Sequence, residues 1–150
     1  MALHDHTATP ASDQASASRW LDTLISDSSA FDDAGVQAAM LSVRVRNDMV
    51  SKRTMDQLRT LLSRLLSPTD RLETISDSSI SILLAPQPDL QTTVAQVRSI
   101  ADAVQRSGIH ASTGFAHRRV GESLLDTWAR AEAQLDRAVY RIEHRDGLTL

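Results

Sequence analysis

The sequence contains no cysteine and very few aromatic residues. Without cysteine the chain cannot form disulfide bonds, thiolate metal sites or a cysteine nucleophile, and such a composition suits the reducing cytoplasm. Aromatic residues make up only 3% of the chain, whereas hydrophobic residues make up 41%. The core of this protein must therefore be built mainly from leucine, isoleucine, valine and alanine.

Long apolar runs and a strong excess of one charge are also missing. No apolar stretch approaches the roughly 18 residues that a membrane-spanning helix needs, and the N-terminus lacks the basic and apolar regions of a secretory signal. The formal net charge of −3 gives no general attraction to nucleic acid or to acidic membranes. We therefore expect a cytoplasmic protein with no nucleic-acid partner and no membrane insertion.

Two regions of the chain differ in composition. Residues 1–17 consist mainly of alanine, threonine, serine, aspartate and histidine, and they offer almost nothing to bury. Such a segment predicts a disordered N-terminal tail. Residues 18–150 carry regular apolar stripes and are long enough to enclose a core, so they predict one domain.

Within the predicted domain, hydrophobic spacing indicates eight elements in the order helix, strand, helix, strand, strand, helix, strand, helix. They cover about 18–31, 38–45, 54–66, 71–76, 80–84, 90–107, 109–116 and 123–145. The polar residues 77–79 between the two adjacent strands predict a hairpin turn. The order predicts an α+β, ferredoxin-like fold, with one mixed, mostly antiparallel sheet covered by helices.

Four stretches of the domain, taken in order, resemble the motifs of one family. Residues 74–84 (TISDSSISILL) align without a gap with a hairpin that reads R-L-G-G-D-E-F-A-I-L-L. Residues 112–116 (STGFA) match an S-x-G strand, and residues 135–143 (LDRAVYRIE) resemble a helix that reads A-D-x-A-L-Y-x-A-K. Residues 22–31 partly match an opening D-x-L-T motif. The chain thus resembles GGDEF domains, the catalytic domains of diguanylate cyclases, with their nucleotidyl-cyclase-like fold.

The resemblance extends to the hydrophobic positions of the signature hairpin but not to its functional residues. At the five positions where the family has G-G-D-E-F, this chain has Ser76, Asp77, Ser78, Ser79 and Ile80. The family binds divalent metal through a carboxylate at the third of these positions and another at the end of the first strand. Ser78 is neutral, and the first strand offers Arg44 and Arg46 instead of an acid. The resemblance therefore implies that neither metal nor any other cofactor is bound.

Three further family sites are altered. The product-inhibition motif R-x-x-D reads Ser67 to Asp70, so its aspartate remains and its arginine is lost. The lysine of the last-helix motif is replaced by Glu143, or by Val139 in an alternative register. The guanine-recognition segment between the first strand and the helix that begins near Thr54 is also shortened. The resemblance thus implies loss of substrate binding as well as of metal binding.

A stripe of arginines on the last helix is a candidate interaction face. It consists of Arg130, Arg137, Arg141 and Arg145. The stripe could contact a phosphate or a partner protein, although neighbouring acidic residues would also make it an ordinary solvated helix face.

These observations favour a catalytically inactive GGDEF-like domain that acts as a protein-interaction or regulatory module in cyclic di-GMP signalling. Its partner would be another protein or a second copy of the chain. A less favoured alternative is a receptor that binds cyclic di-GMP or a guanine nucleotide without turning it over. The last alternative is a diguanylate cyclase with a non-standard site, in which Asp48 or Asp77 would bind the metal.

Overall fold

The computed structural model describes residues 5–149, with side chains described for residues 15–32 and 35–143. Over residues 5–149, helices and strands follow the predicted order. They are α1 (Asp5–Ala34), β1 (Ala39–Val45), α2 (Lys52–Leu65), β2 (Arg71–Thr74), β3 (Ser79–Leu84), α3 (Leu90–Arg106), β4 (Ala111–His117) and α4 (Leu124–Thr149). A single 3-10 turn over Asn47–Met49 links β1 to α2.

The strands form one sheet in the order β2-β3-β1-β4. Strand β1 pairs with both β3 and β4, and β2 pairs with β3, always in the antiparallel sense. The α+β prediction is confirmed, but the sheet is antiparallel at each of these pairs rather than mixed. The reason is that each crossover skips one position. Strand β3 lies between β1 and β2, and β1 lies between β3 and β4, so strands of the same direction are never neighbours.

Helices cover both faces of this sheet. On one face, Leu41 and Val43 of β1 belong to a buried cluster with Leu58 of α2 and Val97 of α3. On the other face, the cluster consists of Trp20, Leu24, Ala38, Met40, Leu83, Ala85, Ala116, Leu124 and Ala131, with residues from α1 and α4. Because consecutive strand residues point to opposite faces, residues along β1 alternate between the two clusters. Every residue of β3 is buried for the same reason.

Local signals set the helix starts. The side chain of Asp89 caps α3, because it accepts a hydrogen bond from the backbone N–H of Thr92. The cap of α2 is Ser51, which accepts from Thr54 N, and α2 therefore begins before the predicted start near Thr54. No helix among residues 5–149 is long and apolar enough to cross a membrane.

Helix α1 begins at Asp5, earlier than the sequence predicts. Residues 5–17, which we assigned to a disordered tail, continue the helix that Trp20 and Leu24 anchor against the sheet. A docked helix extends at little cost, because its nucleation has already been achieved and each further residue adds one hydrogen bond. Residues 1–4 lie outside the described part of the chain. Whether residues 1–17 contribute to the stability of the domain stays a prediction.

Candidate functional site

The signature residues occupy the tip of the hairpin between β2 and β3, as the sequence predicts. The turn is closed by the backbone N–H of Ile75, which donates to Ser79 O at 2.9 Å. The hydroxyl of Ser76 accepts from Ser78 N at 3.3 Å. The carbonyl of Ser78 accepts from Val45 N at 2.8 Å. The turn is thus fastened to the end of β1, where the family would place its other metal ligand.

The side chains of the signature divide between core and solvent. Ile80 is fully buried and packs with the α2 and α3 side of the core. Asp77 is exposed at the tip of the turn. Ser79 is buried, and its hydroxyl accepts a hydrogen bond from Arg44 Nε at 3.3 Å. Because Ile80 must stay in the core, the hairpin cannot shift by one residue to bring Asp77 into the third signature position.

Arg44 links the hairpin to α4. Besides its contact with Ser79, the guanidinium donates through Nη1 to Asp136 Oδ1 at 3.1 Å, and the side chain is 31% exposed. Arg44 is the residue of β1 that pairs with Ser79 in the sheet, so it lies directly beside the signature turn. A guanidinium held by Ser79 and Asp136 therefore lies near the end of β1, the region where the resemblance implies a metal-binding carboxylate.

Arg46, which directly follows β1, forms an ion pair with Asp48. Its Nε and Nη2 atoms donate to the two carboxylate oxygens of Asp48 at 2.6 and 3.0 Å. This bidentate contact lowers the pKa of Asp48. Asp48 is thus engaged by a cation. Among the side chains that the structure describes, no three histidine, aspartate or glutamate residues converge as a metal site would require.

The remnant of the product-inhibition motif has a structural role. The two carboxylate oxygens of Asp70 accept from Ser67 N and from Ala85 N, each at 2.9 Å. The hydroxyl of Thr69 donates to Ala85 O at 2.6 Å. These bonds fasten the loop after α2 to the end of β3. Both oxygens of Asp70 are thus used within the chain, and Ser67 supplies no cation to grip a phosphate.

A cleft of about 620 Å³ lies next to the end of β1. Its walls come from the last turns of α3, from α4 and from the start of β4. The lining residues are Arg44, Val45, Arg46, Asn47, Asp48, Ala101, Val104, Gln105, Ile109, His110, Ala111, Ser112, Thr113, Val139, Ile142 and Glu143. Both candidate positions for the lost lysine, Val139 and Glu143, lie here. Their apolar and acidic side chains would not attract a triphosphate.

The arginines of the α4 stripe differ in their contacts and in their exposure to solvent. Arg130 donates to both carboxylate oxygens of Glu122, at 2.7 and 2.6 Å, and to His117 O at 2.8 Å. The hydrogen bond from Arg130 holds the pKa of Glu122 at about 2, well below its usual range. Arg130 therefore braces the loop before α4, and it is not part of a free surface. Arg137 and Arg141 are exposed, and the side chain of Arg145 lies outside the described residues.

Several of these contacts carry no signal in the sequence. Arg44 and Asp136 are 92 positions apart, and only the packing of α4 across β1 brings them together. The role of Asp70 depends on a strand end that follows fifteen positions later.

At the level of sequence, the chain matches no family model and no curated protein. Its structure is similar to solved GGDEF domains. With the GGDEF domain of DgcB from Caulobacter crescentus in complex with c-di-GMP, it has a TM-score of 0.69 at 18% identity, covering 83% of this chain and 84% of that one. With the FimX GGDEF domain from Pseudomonas aeruginosa, the TM-score is 0.70 at 15% identity, covering 83% and 88%.

A third similar structure is the diguanylate cyclase SiaD from Pseudomonas aeruginosa, in complex with its activator SiaC. Its TM-score is 0.70 at 21% identity, and the match covers 83% of this chain and 55% of that one. The chain therefore has the fold of a GGDEF domain.

Proposed function

We propose that this chain is a GGDEF-like domain that does not synthesise cyclic di-GMP and acts as a protein-interaction or regulatory module. The observation that carries this proposal is the position of Arg44. Its guanidinium is held between the signature turn and α4 by Ser79 and Asp136. The family binds divalent metal between an acid at the end of the first strand and an acid in the signature turn, whereas this chain has Arg44 and Arg46 near the first position and Ser78 at the second.

The charge of Arg44 opposes metal binding here. A divalent ion about 4 Å from a guanidinium alone would be repelled by roughly 8 kcal/mol at an effective dielectric constant of about 20, and the neighbouring Asp136 offsets part of this repulsion. Metal binding at such a site normally depends on carboxylates that supply both charge and hard oxygen ligands. Here Ser78 is neutral, and Asp136 is already bound to Arg44. Restoring one acid, as in Ser78→Asp, would leave the cation in place and should not restore synthesis.

Binding of cyclic di-GMP without turnover is the second candidate. It is favoured by the similar structure of DgcB, which contains c-di-GMP. The contacts of Asp70 argue against it at the product-inhibition motif, because both carboxylate oxygens already accept backbone hydrogen bonds. A nucleotide at that motif would have to displace them, and no arginine at position 67 would compensate.

A protein partner is therefore the favoured ligand. The fold has a precedent, because SiaD is in complex with a protein activator. The chain also keeps a complete core and a long, exposed α4 surface that includes Arg137 and Arg141. A domain that retains its packing while its catalytic positions change still offers an ordered surface for recognition.

The test is a turnover assay. The purified chain is incubated with GTP and either magnesium or manganese, and the products are separated by chromatography beside an active diguanylate cyclase. We expect no cyclic di-GMP. Metal-dependent product that disappears in Asp48→Asn or Asp77→Asn would refute the proposal. Calorimetric titration with GTP and with cyclic di-GMP then separates a receptor from an interaction module, since only a receptor would bind at micromolar concentrations.

A further inference from the structure

Strand β4 forms one edge of the sheet. Among the described residues, the outward backbone groups have hydrogen-bond partners in the second half of the strand but not in the first. The register fixes which residues face outward. The N–H of Arg46 donates to His110 O, and the N–H of Arg118 donates to Ala38 O, so the even-numbered residues of β4 bond to β1. The backbone groups of the odd-numbered residues, 111, 113, 115 and 117, therefore point away from the sheet.

The second half of this edge is already occupied by side chains of α4. The N–H of Phe115 donates to Gln134 Oε1 at 2.6 Å, and the carbonyl of His117 accepts from Arg130 Nη2 at 2.8 Å. Side chains that bond to an edge strand prevent another strand from pairing with it. From Phe115 to His117, the edge is thus protected.

The first half of the edge has no such protection within the described residues. The outward N–H and C=O groups of Ala111 and Thr113 have no partner among them, and both residues line the 620 Å³ cleft. Apolar side chains that line the cleft lie next to this edge on both faces of the sheet. Val104 of α3 lies on one face, and Val139 and Ile142 of α4 lie on the other. Donors and acceptors that alternate along a strand are complemented by another extended backbone.

We propose that the start of β4 is a docking site for an extended peptide segment of a partner protein, which adds a short strand to the sheet. This inference rests on the proposed function, because it names the surface and partner class of the interaction module. The docked segment should be aliphatic at consecutive positions, because an added strand would place its side chains alternately toward Val104 and toward Val139 and Ile142.

A flexible peptide segment fits this site better than a second copy of the chain. Two β4 edges would have to approach to about 4.8 Å in order to pair. In each copy, α3 and α4 cover opposite faces of the sheet and contribute walls to the cleft. The two helices, each about 10 Å across, therefore flank this part of the edge and narrow the approach for a second folded domain. A single flexible segment needs less room.

The experiment uses the full chain and a fluorescent peptide of the sequence Ser-Thr-Val-Ile-Val-Thr-Lys. Binding is followed by fluorescence anisotropy, and amide exchange is followed by NMR. In the free chain, the amides of Ala111 and Thr113 should exchange faster than that of Phe115. Binding should slow exchange at Ala111 and Thr113. The same peptide with alternate backbone nitrogens methylated should bind at least about tenfold more weakly, because it cannot complete the ladder.

Two variants and a matched control test the site. Thr113→Pro removes an outward-facing N–H without removing a hydrogen bond to β1, and proline occurs on edge strands, so we expect at least roughly fivefold weaker binding. Ile142→Asp places a charge on the cleft wall, where the wild-type side chain is 38% exposed, and should weaken binding similarly without disturbing the core. Thr74→Pro, at an outward position on β2 at the opposite edge of the sheet, should bind like the wild type.

Three other outcomes would overturn the inference. The first is a failure of the peptide to bind, and the second is binding that Thr113→Pro and Ile142→Asp leave unchanged. The third is amide exchange at Ala111 and Thr113 that slows with protein concentration alone, which would indicate a second copy. Displacement of the peptide by cyclic di-GMP would assign the cleft to a nucleotide instead. None of these results depends on GTP turnover, so failure of this inference and failure of the proposed lack of catalysis can be distinguished.

Discussion

Replacing Gly114 with alanine tests how closely α4 is seated on the sheet. Gly114 lies in the middle of β4, and its φ angle is not in the left-handed region. A Cβ atom there would collide with Leu135 N and Ala131 O and would lie 2.8 Å from Leu135 Cα. All three are backbone atoms of α4, so no side-chain rotation relieves the contact. The helix would have to withdraw.

The magnitude follows from the packing that withdrawal would loosen. Non-bonded carbon atoms normally approach to about 3.5–4 Å, so α4 must move by roughly 1 Å, and such a gap forfeits a quarter to a half of each dispersion contact. Ala131 and Leu135 are fully buried at this point. We expect a loss of about 3 kcal/mol, at the upper end of the range for overpacked cores. For a chain of this length, that corresponds to a fall in Tm of about 6–12 °C.

Gly108→Ala is the control. Gly108 has a φ of +88° with nothing within 4 Å of its added Cβ, so alanine there meets backbone strain but no clash. Its cost should be only about 1 kcal/mol. Urea unfolding, followed by circular dichroism, and thermal unfolding of both variants give the comparison. If Gly114→Ala is no less stable than Gly108→Ala, α4 does not lie against β4 as closely as the structure shows.

Three further predictions concern stability. Asp70→Ala should lower the free energy of unfolding by about 2 kcal/mol, because Ala85 N loses its acceptor; an effect below about 0.5 kcal/mol in urea unfolding would contradict this. The pKa of Glu122 lies at about 2 in the folded chain against 4.5 ordinarily, so its contribution is complete above pH 4.5 and is lost as the pH falls toward 2. Wild type should therefore lose about 2 kcal/mol more than Glu122→Gln between pH 6 and pH 3, and equal losses would show that the carboxylate is not held by Arg130. Removal of residues 1–17 should change Tm by less than about 2 °C, because the first buried side chain of α1 among the described residues is Trp20; a fall of several degrees in thermal unfolding would show that this segment packs on the domain.

Local sequence patterns were sufficient to predict the order of helices and strands and the position of the signature turn. Both depend on local patterns, since helical and strand periodicities and turn residues act within a few positions. Ile80, Ile82 and Leu84 alternate along β3, and this alternation alone predicts the register of the hairpin. Local signals were weaker at element ends. The cap of α2 is Ser51, and α1 extends to Asp5, because docking elsewhere in a helix allows polar residues to continue it.

Which side chains meet, in contrast, depends on how the elements pack. The pairing of Arg44 with Asp136 requires α4 to cross β1, and the two backbone hydrogen bonds of Asp70 require the end of β3 to return beside the loop after α2. Arg130 has the same helical spacing as Arg137 and Arg141, yet it is bound to Glu122 and His117 while the other two are exposed. Periodicity identifies a helix face, but the contacts of that face depend on residues distant in the chain, and their positions are set by the packing of the whole domain.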